Sequence, residues 1–293
     1  MHDKNETSTF DCRFLNDDYF SILHRKFVEA FSDYALPFEF NEEQFRNHIT
    51  LNAVDLSRSA GCFRGGDLIG FSLNGFGSWQ GKPTVYDAGT AVIPGQRRLG
   101  ASESMFDMMT PVLKADGAEQ FLLEVITTNE PAVNLYKKLG FQIQRELLLL
   151  EAPGRLTISS EPNMEITIRR IAASDLMSLS GFWDGTPSWQ NSNEAIQRSE
   201  PKKKVLGAFL VERCVGYIVF SSSLGRVAQF VVDKNNRNRG IGNRLLMAMQ
   251  DDVAEGCKTQ VLNIDKAMTD AVQFLMSRGF EKVLTQFEMI KPI

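Results

Sequence analysis

A turn of basic residues and glycines at 233–242 has the composition of an anion-binding site. It follows an apolar run at 227–232 and precedes apolar residues at helical spacing, which predicts a strand, a turn and a helix. The unpaired backbone N–H groups and the dipole at such a helix N-terminus both favour an anion. Gly240 and Gly242 would let the anion approach closely because glycine has no Cβ.

The same landmarks occur earlier in the chain at matching distances. A valine, an arginine and a glycine share one spacing in both halves: Val92, Arg97 and Gly100 in the first, Val232, Arg237 and Gly240 in the second. A Gly-Phe pair follows 40 residues after Gly100 and 39 residues after Gly240. This repetition predicts a duplicated unit of about 140 residues, which is a usual domain size.

Two motifs resemble those of the GNAT N-acetyltransferase superfamily. Arg-x-x-Gly-x-Gly at 237–242 is similar to the family's acyl-CoA pyrophosphate loop, and Val-x-Pro-x-x-Arg-x-x-Gly at 92–100 looks like the same loop. Asn-x-Pro-Ala-x-x-Leu-Tyr-x-x-x-Gly-Phe at 129–141 is similar to the family's late helix and following strand. The resemblance implies an α/β fold of two tandem GNAT-like domains. Each would be a mixed, mostly antiparallel twisted sheet with a splayed parallel central pair and flanking helices.

The resemblance also implies acetyl-CoA as cosubstrate and a set of residues that contact it. Those residues are Val92, Arg97, Arg98, Leu99, Gly100, Ala101, Ser102 and Asn129 in the first half, and Val232, Arg237, Asn238, Arg239, Gly240, Ile241 and Gly242 in the second. Ser102 stands where glycine or alanine is usual, so we expect weaker CoA binding at the first loop than at the second.

An acetyl group moves to an amine only if the amine is neutral and the leaving thiolate receives a proton or a hydrogen bond. Tyr136 matches the GNAT tyrosine that serves the thiolate, and a phenol with a pKa near ~10 stays protonated at neutral pH. The second half has Leu275 and Met268 where the first has Tyr136 and Asn129. We therefore expect catalysis in the N-terminal half and a degenerate C-terminal copy that is still able to hold CoA.

Two carboxylates are candidates for the base that takes the proton of the amine. Asp87 lies on the predicted central strand and Glu124 on its neighbour, where GNAT enzymes commonly place a carboxylate. Successive strand residues face opposite ways, so only one alternation is compatible with the cleft. We favour Asp87 over Glu124, and a water relay is the third alternative. Gln229 on the corresponding strand of the second half offers no titratable group.

The predicted elements repeat in the two halves. The first half should hold helices at 19–34 and 42–51 beside the acceptor groove, and then a hairpin of strands at 59–64 and 68–76. A flexible loop at 75–82 should carry Trp79, either beside the acceptor or as a surface anchor. Parallel strands at 84–93 and 119–127, a helix at 130–139 and a strand at 141–150 should complete it. The second half should begin with a strand at 165–171 and a helix at 174–182. The predicted domains are 1–152 and 164–293, joined by a linker at 153–163.

Composition excludes several other classes. The net charge of −4 argues against a general nucleic-acid binder. The sequence has no run of eighteen apolar residues, so we expect no membrane span, and the polar N-terminus lacks a signal-peptide core. The four cysteines and three histidines show no metal-ligand spacing, and the cysteines show no redox spacing. We therefore expect reduced thiols, a cytoplasmic protein and no metal.

The predicted activity is acetyl transfer from acetyl-CoA to the primary amine of a small molecule or peptide, by direct attack on the thioester. Two alternatives remain open. The protein could be a non-catalytic CoA-binding regulator or scaffold, or the C-terminal half could catalyse without a tyrosine. Two fused copies could satisfy the interface that single-domain relatives form by dimerising, so we expect a monomer with intramolecular domain pairing.

Overall fold

The computed structural model describes residues 10–33, 40–156, 158 and 165–293. Its contacts divide the chain into two units that interleave in sequence. The first unit comprises Met1–Val125, Asn129–Ile143 and Met289–Ile293, and the second comprises Ile126–Thr128 and Gln144–Glu288. The predicted domain limits stay a prediction, and most of the predicted linker lies outside the described residues.

The first unit contains antiparallel strands followed by one parallel pair. Its strands are β1 (Asp11–Phe14), β2 (Ala60–Arg64), β3 (Asp67–Trp79), β4 (Lys82–Val92) and β5 (Gln120–Ile126). Its helices are α1 (Phe20–Ala30), α2 (Glu42–Leu51), α3 (Ala101–Ala115) and α4 (Glu130–Lys138). Neighbouring strands from β1 to β4 pair antiparallel, and β4 pairs with β5 in parallel.

Local sequence signals account for where α2 and α4 begin. The side chain of Asn41 accepts a hydrogen bond from the backbone N–H of Gln44 at 2.9 Å, and the Gln44 side chain accepts one from the Asn41 N–H at 2.9 Å. This reciprocal capping box starts α2 at the predicted residue. The Asn129 side chain accepts a hydrogen bond from the Ala132 N–H at 3.3 Å, and this single bond caps the N-terminus of α4.

The predicted flexible loop at 75–82 is wrong, because these residues belong to one long hairpin. Strand β3 continues to Trp79, and β4 begins after a turn at Gln80 and Gly81. Glycine is common in loops, but Gly75 lies within β3, where the lack of a Cβ allows close packing. A Cβ at this position would lie 1.9 Å from the backbone oxygen of Asn52. Trp79 is 3% exposed, so its ring packs inside the unit.

The second unit repeats the order. Its strands are β6 (Gln142–Ala152, from residue 144), β7 (Ile166–Arg170), β8 (Lys204–Leu210), β9 (Arg213–Ser221), β10 (Arg226–Val232), β11 (Thr259–Asp265) and β12 (Glu281–Pro292, to residue 288). Its helices are α5 (Asn193–Arg198), α6 (Ile241–Gln250) and α7 (Thr269–Met276). Strand β6 pairs antiparallel with β11, and β10 pairs with β11 in parallel. Helix α6 buries Leu245, Leu246 and Met249 in the core of the unit.

The α-helix predicted at 174–182 is instead a 3-10 helix, Ala173–Phe182. Polar side chains here bond to the backbone three residues away. The hydroxyl of Ser178 donates to the oxygen of Asp175 at 2.7 Å, and that of Ser180 donates to the oxygen of Met177 at 2.9 Å. Such local bonds compete with the α-helical ladder, which explains the tighter helix.

Candidate active site

The parallel pair of the first unit opens after three residue pairs. Strands β4 and β5 pair from Thr84 to Tyr86, and within the described residues their ladder ends there. On the other edge of β4, Asp87 pairs with β3 and Ala88 is an extra residue in a β-bulge. We call the gap between β4 and β5 beyond Tyr86 the first cleft. It opens at Asp87, the residue that we favoured as the base.

The second unit repeats this backbone arrangement. Strands β10 and β11 pair at Arg226 and Val227, and a β-bulge against β9 follows at Ala228. Each bulged alanine lies twelve residues before the glycine that immediately precedes the next helix, Gly100 or Gly240. We call the gap between β10 and β11 beyond Val227 the second cleft. The predicted parallel central pair that separates is confirmed in both units.

The two glycine-bearing loops follow the same path into α3 and α6. Gly100 and Gly240 precede the helices with φ of 89° and 81°. Arg98 and Asn238 also have positive φ, 64° and 60°. A left-handed conformation is costly for residues with a Cβ, and glycine adopts it freely. The conformation at Gly100 and Gly240 thus explains why glycine stands there.

The arginine of each loop binds its own chain. In the first loop, Nε of Arg97 donates to the oxygen of Val92 at 3.0 Å, and its guanidinium pairs with Asp33 at 2.6 and 2.8 Å. This hydrogen bond lowers the pKa of Asp33. In the second loop, Arg237 donates to the oxygen of Val232 at 3.2 Å and pairs with Asp184 at 2.6 Å. Both arginines therefore position their loops, and their contact with CoA stays a prediction.

Packing explains why the second loop has glycine where the first has Ser102. A Cβ on Gly242 would lie 2.9 Å from Cζ of Phe274 and 3.2 Å from Cζ of Phe230. These two rings stack with their centroids 5.6 Å apart. The first unit has the smaller Leu135 and Thr90 at the corresponding positions, counted from the shared landmarks. The smaller neighbours in the first unit therefore explain why a serine is accommodated at position 102, and its contact with CoA stays a prediction.

Tyr136 and Asp87 come together at the mouth of the first cleft. The hydroxyl of Tyr136, on α4, donates to Oδ2 of Asp87 at 3.1 Å. The phenol ring packs edge-on against Phe141, with centroids 5.4 Å apart. Asp87 also accepts hydrogen bonds from the Thr90 hydroxyl at 2.9 Å and from the Gly89 N–H at 3.0 Å. Burial nevertheless raises the pKa of Asp87 to about 6.

Glu124 belongs to a second pair on the opposite face of the sheet. Tyr86 donates its hydroxyl hydrogen to a carboxylate oxygen of Glu124. Tyr86 and Asp87 are consecutive strand residues, so their side chains point to opposite faces. Helix α3 covers the Asp87 face, where Asn74, paired with Asp87, donates to the sulfur of Met109 at 3.3 Å. The two candidate carboxylates are thus each bonded to a tyrosine, on different faces.

Sequence reasoning missed His48, which contacts the bulge. Its Nε2 lies 2.8 Å from the oxygen of Ala88, the bulged residue, and its Nδ1 lies 3.2 Å from Nδ2 of Asn52. Burial lowers the pKa of His48, so the imidazole is neutral and holds the bulge from α2. Thr90 and Tyr86 were missed as well. Strand alternation could have assigned Tyr86 to the Glu124 face.

Comparisons with known proteins agree with this geometry. The family model described as "Acetyltransferase (GNAT) family" matches residues 16–141, and that described as "Acetyltransferase (GNAT) domain" matches residues 183–290. This chain belongs to the GNAT superfamily, as a tandem member. A tandem GNAT protein from the clavulanic acid biosynthesis pathway has the same fold, with a TM-score of 0.70 at 12% identity over 97% of this chain and 98% of that chain.

Two curated GNAT relatives match shorter stretches. An N-alpha-acetyltransferase of Sulfurisphaera tokodaii is 35% identical over 98 residues, 30% of this chain and 59% of that protein. A streptothricin acetyltransferase of Streptomyces lavendulae is 32% identical over 76 residues, 26% of this chain and 39% of that protein. This chain therefore spans less than two thirds of either relative.

The second GNAT unit lacks the reactive side chains of the first. Leu275 is fully buried at the position of Tyr136. Met268 precedes α7 without a side-chain cap, where Asn129 caps α4. Val227, just before the bulge, replaces Asp87. At the position just after the bulge the second unit has the larger residue, because Gln229 stands where the first unit has Gly89.

Gln229 is held in a buried network within the second cleft. Its Nε2 donates to the oxygen of Asn191 at 2.6 Å, and its Oε1 accepts the Tyr217 hydroxyl hydrogen at 2.8 Å. Burial raises the pKa of Tyr217 to about 12, so this hydroxyl stays protonated. Asn191 donates from Nδ2 to the oxygen of Leu262 on β11 at 2.7 Å. Asn191 therefore bridges β10 and β11 just beyond the end of their ladder.

A cavity adjoins the loop of the second unit. It measures about 790 Å³, and its lining includes Arg237, Gly240, Phe274 and Arg278. Nε of Arg278 donates to Oδ1 of Asn243 in the first turn of α6, at 3.0 Å. At the first loop the first turn of α3 instead carries Glu103, paired with Lys138. The second loop is thus the more cationic of the two.

The described residues contain no helix that is both long and apolar enough to cross a membrane. They also contain no group of three or more His, Cys, Asp and Glu side chains with a geometry suited to a metal ion.

Proposed function

We propose that this GNAT protein transfers an acetyl group from acetyl-CoA to a primary amine by direct attack on the thioester, and that the first unit is the catalyst. The observation that carries the proposal is the hydrogen bond from Tyr136 to Asp87 at the opening of the first cleft. It joins a carboxylate whose pKa is about 6 to a phenol that can protonate a thiolate.

These two residues provide a continuous route for one proton. As the amine nitrogen bonds to the thioester carbon, Asp87 takes a proton from the nitrogen. As the carbon–sulfur bond breaks, Tyr136 gives its proton to the sulfur and recovers one from Asp87 through their hydrogen bond. The proton lost by the amine thus reaches the leaving thiol, and neither residue changes its charge over the cycle.

Glu124 has a different role in this proposal. It lies on the face opposite Asp87, held by Tyr86. A carboxylate there would attract the protonated acceptor and orient it. The ammonium group loses one proton to solvent before the attack, and the second proton follows the route through Asp87 and Tyr136 to the thiol. The acceptor is then a cationic primary amine on a small molecule or a peptide. The name of the N-alpha-acetyltransferase relative supports an amine acceptor.

The residues around the first loop fit the cosubstrate. The loop residues from Arg97 to Ser102 and the N-terminus of α3 would hold the CoA phosphates, because backbone N–H groups there have no helical acceptor. Bound acetyl-CoA supplies the activated acetyl group. Asn129 would act through the position of α4, since its side chain caps that helix.

For the second unit we propose CoA binding without turnover. Its cationic loop and the cavity of about 790 Å³ suit the phosphate-bearing end of CoA. The Gln229 network lies where the first cleft has Gly89, and Leu275 has no proton to give. Two alternatives remain, a wholly non-catalytic protein and catalysis in the second unit. Each predicts a different result in the experiment below.

The test combines turnover with matched loop variants. Release of free CoA thiol from acetyl-CoA is followed with a panel of primary amines, for wild type, Gly100→Glu and Gly240→Glu. Each substitution places a carboxylate in one phosphate loop, at a left-handed position in both cases. We expect Gly100→Glu to abolish turnover and Gly240→Glu to retain most of it, with folding verified by circular dichroism. Loss only in Gly240→Glu would move the active site to the second unit, and no turnover by folded wild type with any amine would refute the proposal.

A further inference from the structure

Two cysteines that are 50 residues apart in sequence face each other across neighbouring strands. Cys12 on β1 pairs directly with Cys62 on β2 in the antiparallel register. Neither cysteine forms a disulfide in this structure. Sequence spacing could not reveal this pair, because no motif connects the two residues.

The register already meets the main requirement for a disulfide. Directly opposed residues of an antiparallel pair have Cα atoms about 4.5–5.5 Å apart. Disulfides span Cα distances of about 4.4–6.8 Å, so the two strands need not separate or slide for the bond to form. Their Cβ atoms, about 4.5–5.5 Å apart in such pairs, need to approach only slightly.

We propose that Cys12 and Cys62 form a dithiol site that small-molecule disulfides of the glutathione class oxidise reversibly to a cross-strand disulfide. This inference is independent of the acetyl-transfer proposal, because it uses no residue of either loop or cleft.

The two thiols differ in a way that orders the reaction. Cys12 is half-buried on β1, whereas Cys62 is fully buried. The neighbouring Cys62 thiol lowers the pKa of Cys12 because it can donate a hydrogen bond to a Cys12 thiolate, while the pKa of Cys62 is raised. Cys12 is therefore the thiol that both reaches and attacks a small-molecule disulfide.

The reaction has two exchange steps. The Cys12 thiolate attacks one sulfur of the small disulfide, forming a mixed disulfide and releasing one small thiol. The Cys62 sulfur then attacks the Cys12 sulfur, and its proton passes to the departing small thiolate, which leaves as the second small thiol. Overall the two protein thiols lose two electrons and two protons, and one small disulfide becomes two small thiols.

The bond would join β1 to its neighbour beneath α3. Helix α3 packs against both β1 and β2, and its N-terminus carries the first loop. A closed loop of about 50 residues also restricts the unfolded chain, so the oxidised protein should melt several degrees higher than the reduced one.

Mass spectrometry of native protein treated with oxidised glutathione tests the site. We expect a peptide cross-link between Cys12 and Cys62 that dithiothreitol removes, with Cys214 and Cys257 as internal comparisons. In Cys62→Ser the second step is blocked, so glutathione should remain attached to Cys12. In Cys12→Ser, folded protein should leave Cys62 unmodified.

Several outcomes would contradict the proposal. They are glutathione adducts without the cross-link in wild type, preferential reaction of Cys214 or Cys257, or a cross-link that forms only in denaturant. If a serine variant fails to fold, the wild type still decides through brief alkylation at intervals during oxidation. Cys12 and Cys62 must then lose reactivity together, in the same molecules, with a matching rise in melting temperature.

Discussion

The first and second clefts have the same backbone and different side chains. Both have a short parallel ladder, a bulged alanine and a left-handed glycine at matched distances. At the first cleft these features position Asp87 beside Tyr136, and at the second cleft Val227 and Leu275 stand in their places. The same backbone geometry therefore occurs with and without the candidate catalytic side chains, so the proposed acetyl transfer depends on those few side chains.

The position after each bulge shows how the space is used. Gly89 leaves the first cleft without a side chain there, and a Cβ would lie 3.3 Å from Cε2 of Phe27. Gln229 fills the corresponding space of the second cleft and bonds to Asn191, Asn193 and Tyr217. In the proposed function the first cleft admits an acceptor and has no side chain at Gly89, whereas the second cleft only holds CoA and can accommodate Gln229.

The largest expected effect is that of Asp87→Asn, since Asp87 has no counterpart in the second cleft. Turnover should fall by about 10²–10³-fold, and the decline of wild-type turnover below pH ~6 should disappear. Burial raises the pKa of Asp87 above its unfolded value, so the ionised carboxylate disfavours the folded state as pH rises through about 6.

Stability should therefore change in the opposite direction to activity. Asp87→Asn should stabilise the protein by about 1–3 kcal/mol at pH 7.5, and the gain should vanish below pH ~4, where both folded and unfolded Asp87 are protonated. Urea titrations and pH–rate profiles measure the two effects. Glu124→Gln is the control, expected to raise the amine KM and to retain the acid limb. An unchanged pH profile in Asp87→Asn would exclude Asp87 as the base.

A somewhat smaller loss is expected for Tyr136→Phe, with the buried Tyr217 of the second cleft as its match. Tyr136→Phe removes the proton donor for the thiolate and should lower kcat by about 10²-fold, with little change in the KM for acetyl-CoA. Tyr217→Phe removes a hydroxyl of similar burial and should keep kcat within about twofold. Steady-state kinetics would contradict the comparison if both variants lost turnover equally.

The smallest expected effect concerns packing at the two loops. Gly242→Ser should destabilise the second unit by about 1–3 kcal/mol, because its Cβ would press on Phe274 and Phe230. The reciprocal change Ser102→Gly should cost less than about 1 kcal/mol. Adding Phe274→Leu to Gly242→Ser introduces one of the two smaller neighbours of the first unit and should restore much of the loss in thermal melts. Equal costs for Gly242→Ser with and without Phe274→Leu would exclude this explanation.

Much of this arrangement could be predicted from the sequence. The equal spacing of the loop glycines predicted the duplication, and Asn41 marked the start of α2 through a local signal that the structure reproduces. Tyr136 and Asp87 were chosen for separate chemical reasons, and the structure places their side chains within hydrogen-bonding distance. The repeat spacing and the helix cap were therefore predicted correctly from local patterns, whereas the loop at 75–82 and the helix type at 174–182 were not.

The features that were missed depend on neighbours in space. Gly75 suggested a loop because its packing against Asn52 is not visible in the sequence. The pairing of Tyr86 with Glu124, and of Cys12 with Cys62, requires the strand register. Likewise, the packing of Phe230 and Phe274 around Gly242 was not visible in the sequence, and the weaker CoA binding expected from Ser102 stays a prediction.

The arginine–aspartate pairs of the loops have a consequence for the kinetics of ligand capture. Arg97 joins the strand end to Asp33, and Arg237 does the same with Asp184, so contacts within the protein itself support the left-handed shape of each loop. A ligand that enters a preformed loop does not have to order it, which lowers the entropy lost on association. If the loops bind CoA as proposed, association should proceed in one step, with a rate that scales with CoA concentration and shows no plateau from a slow loop rearrangement.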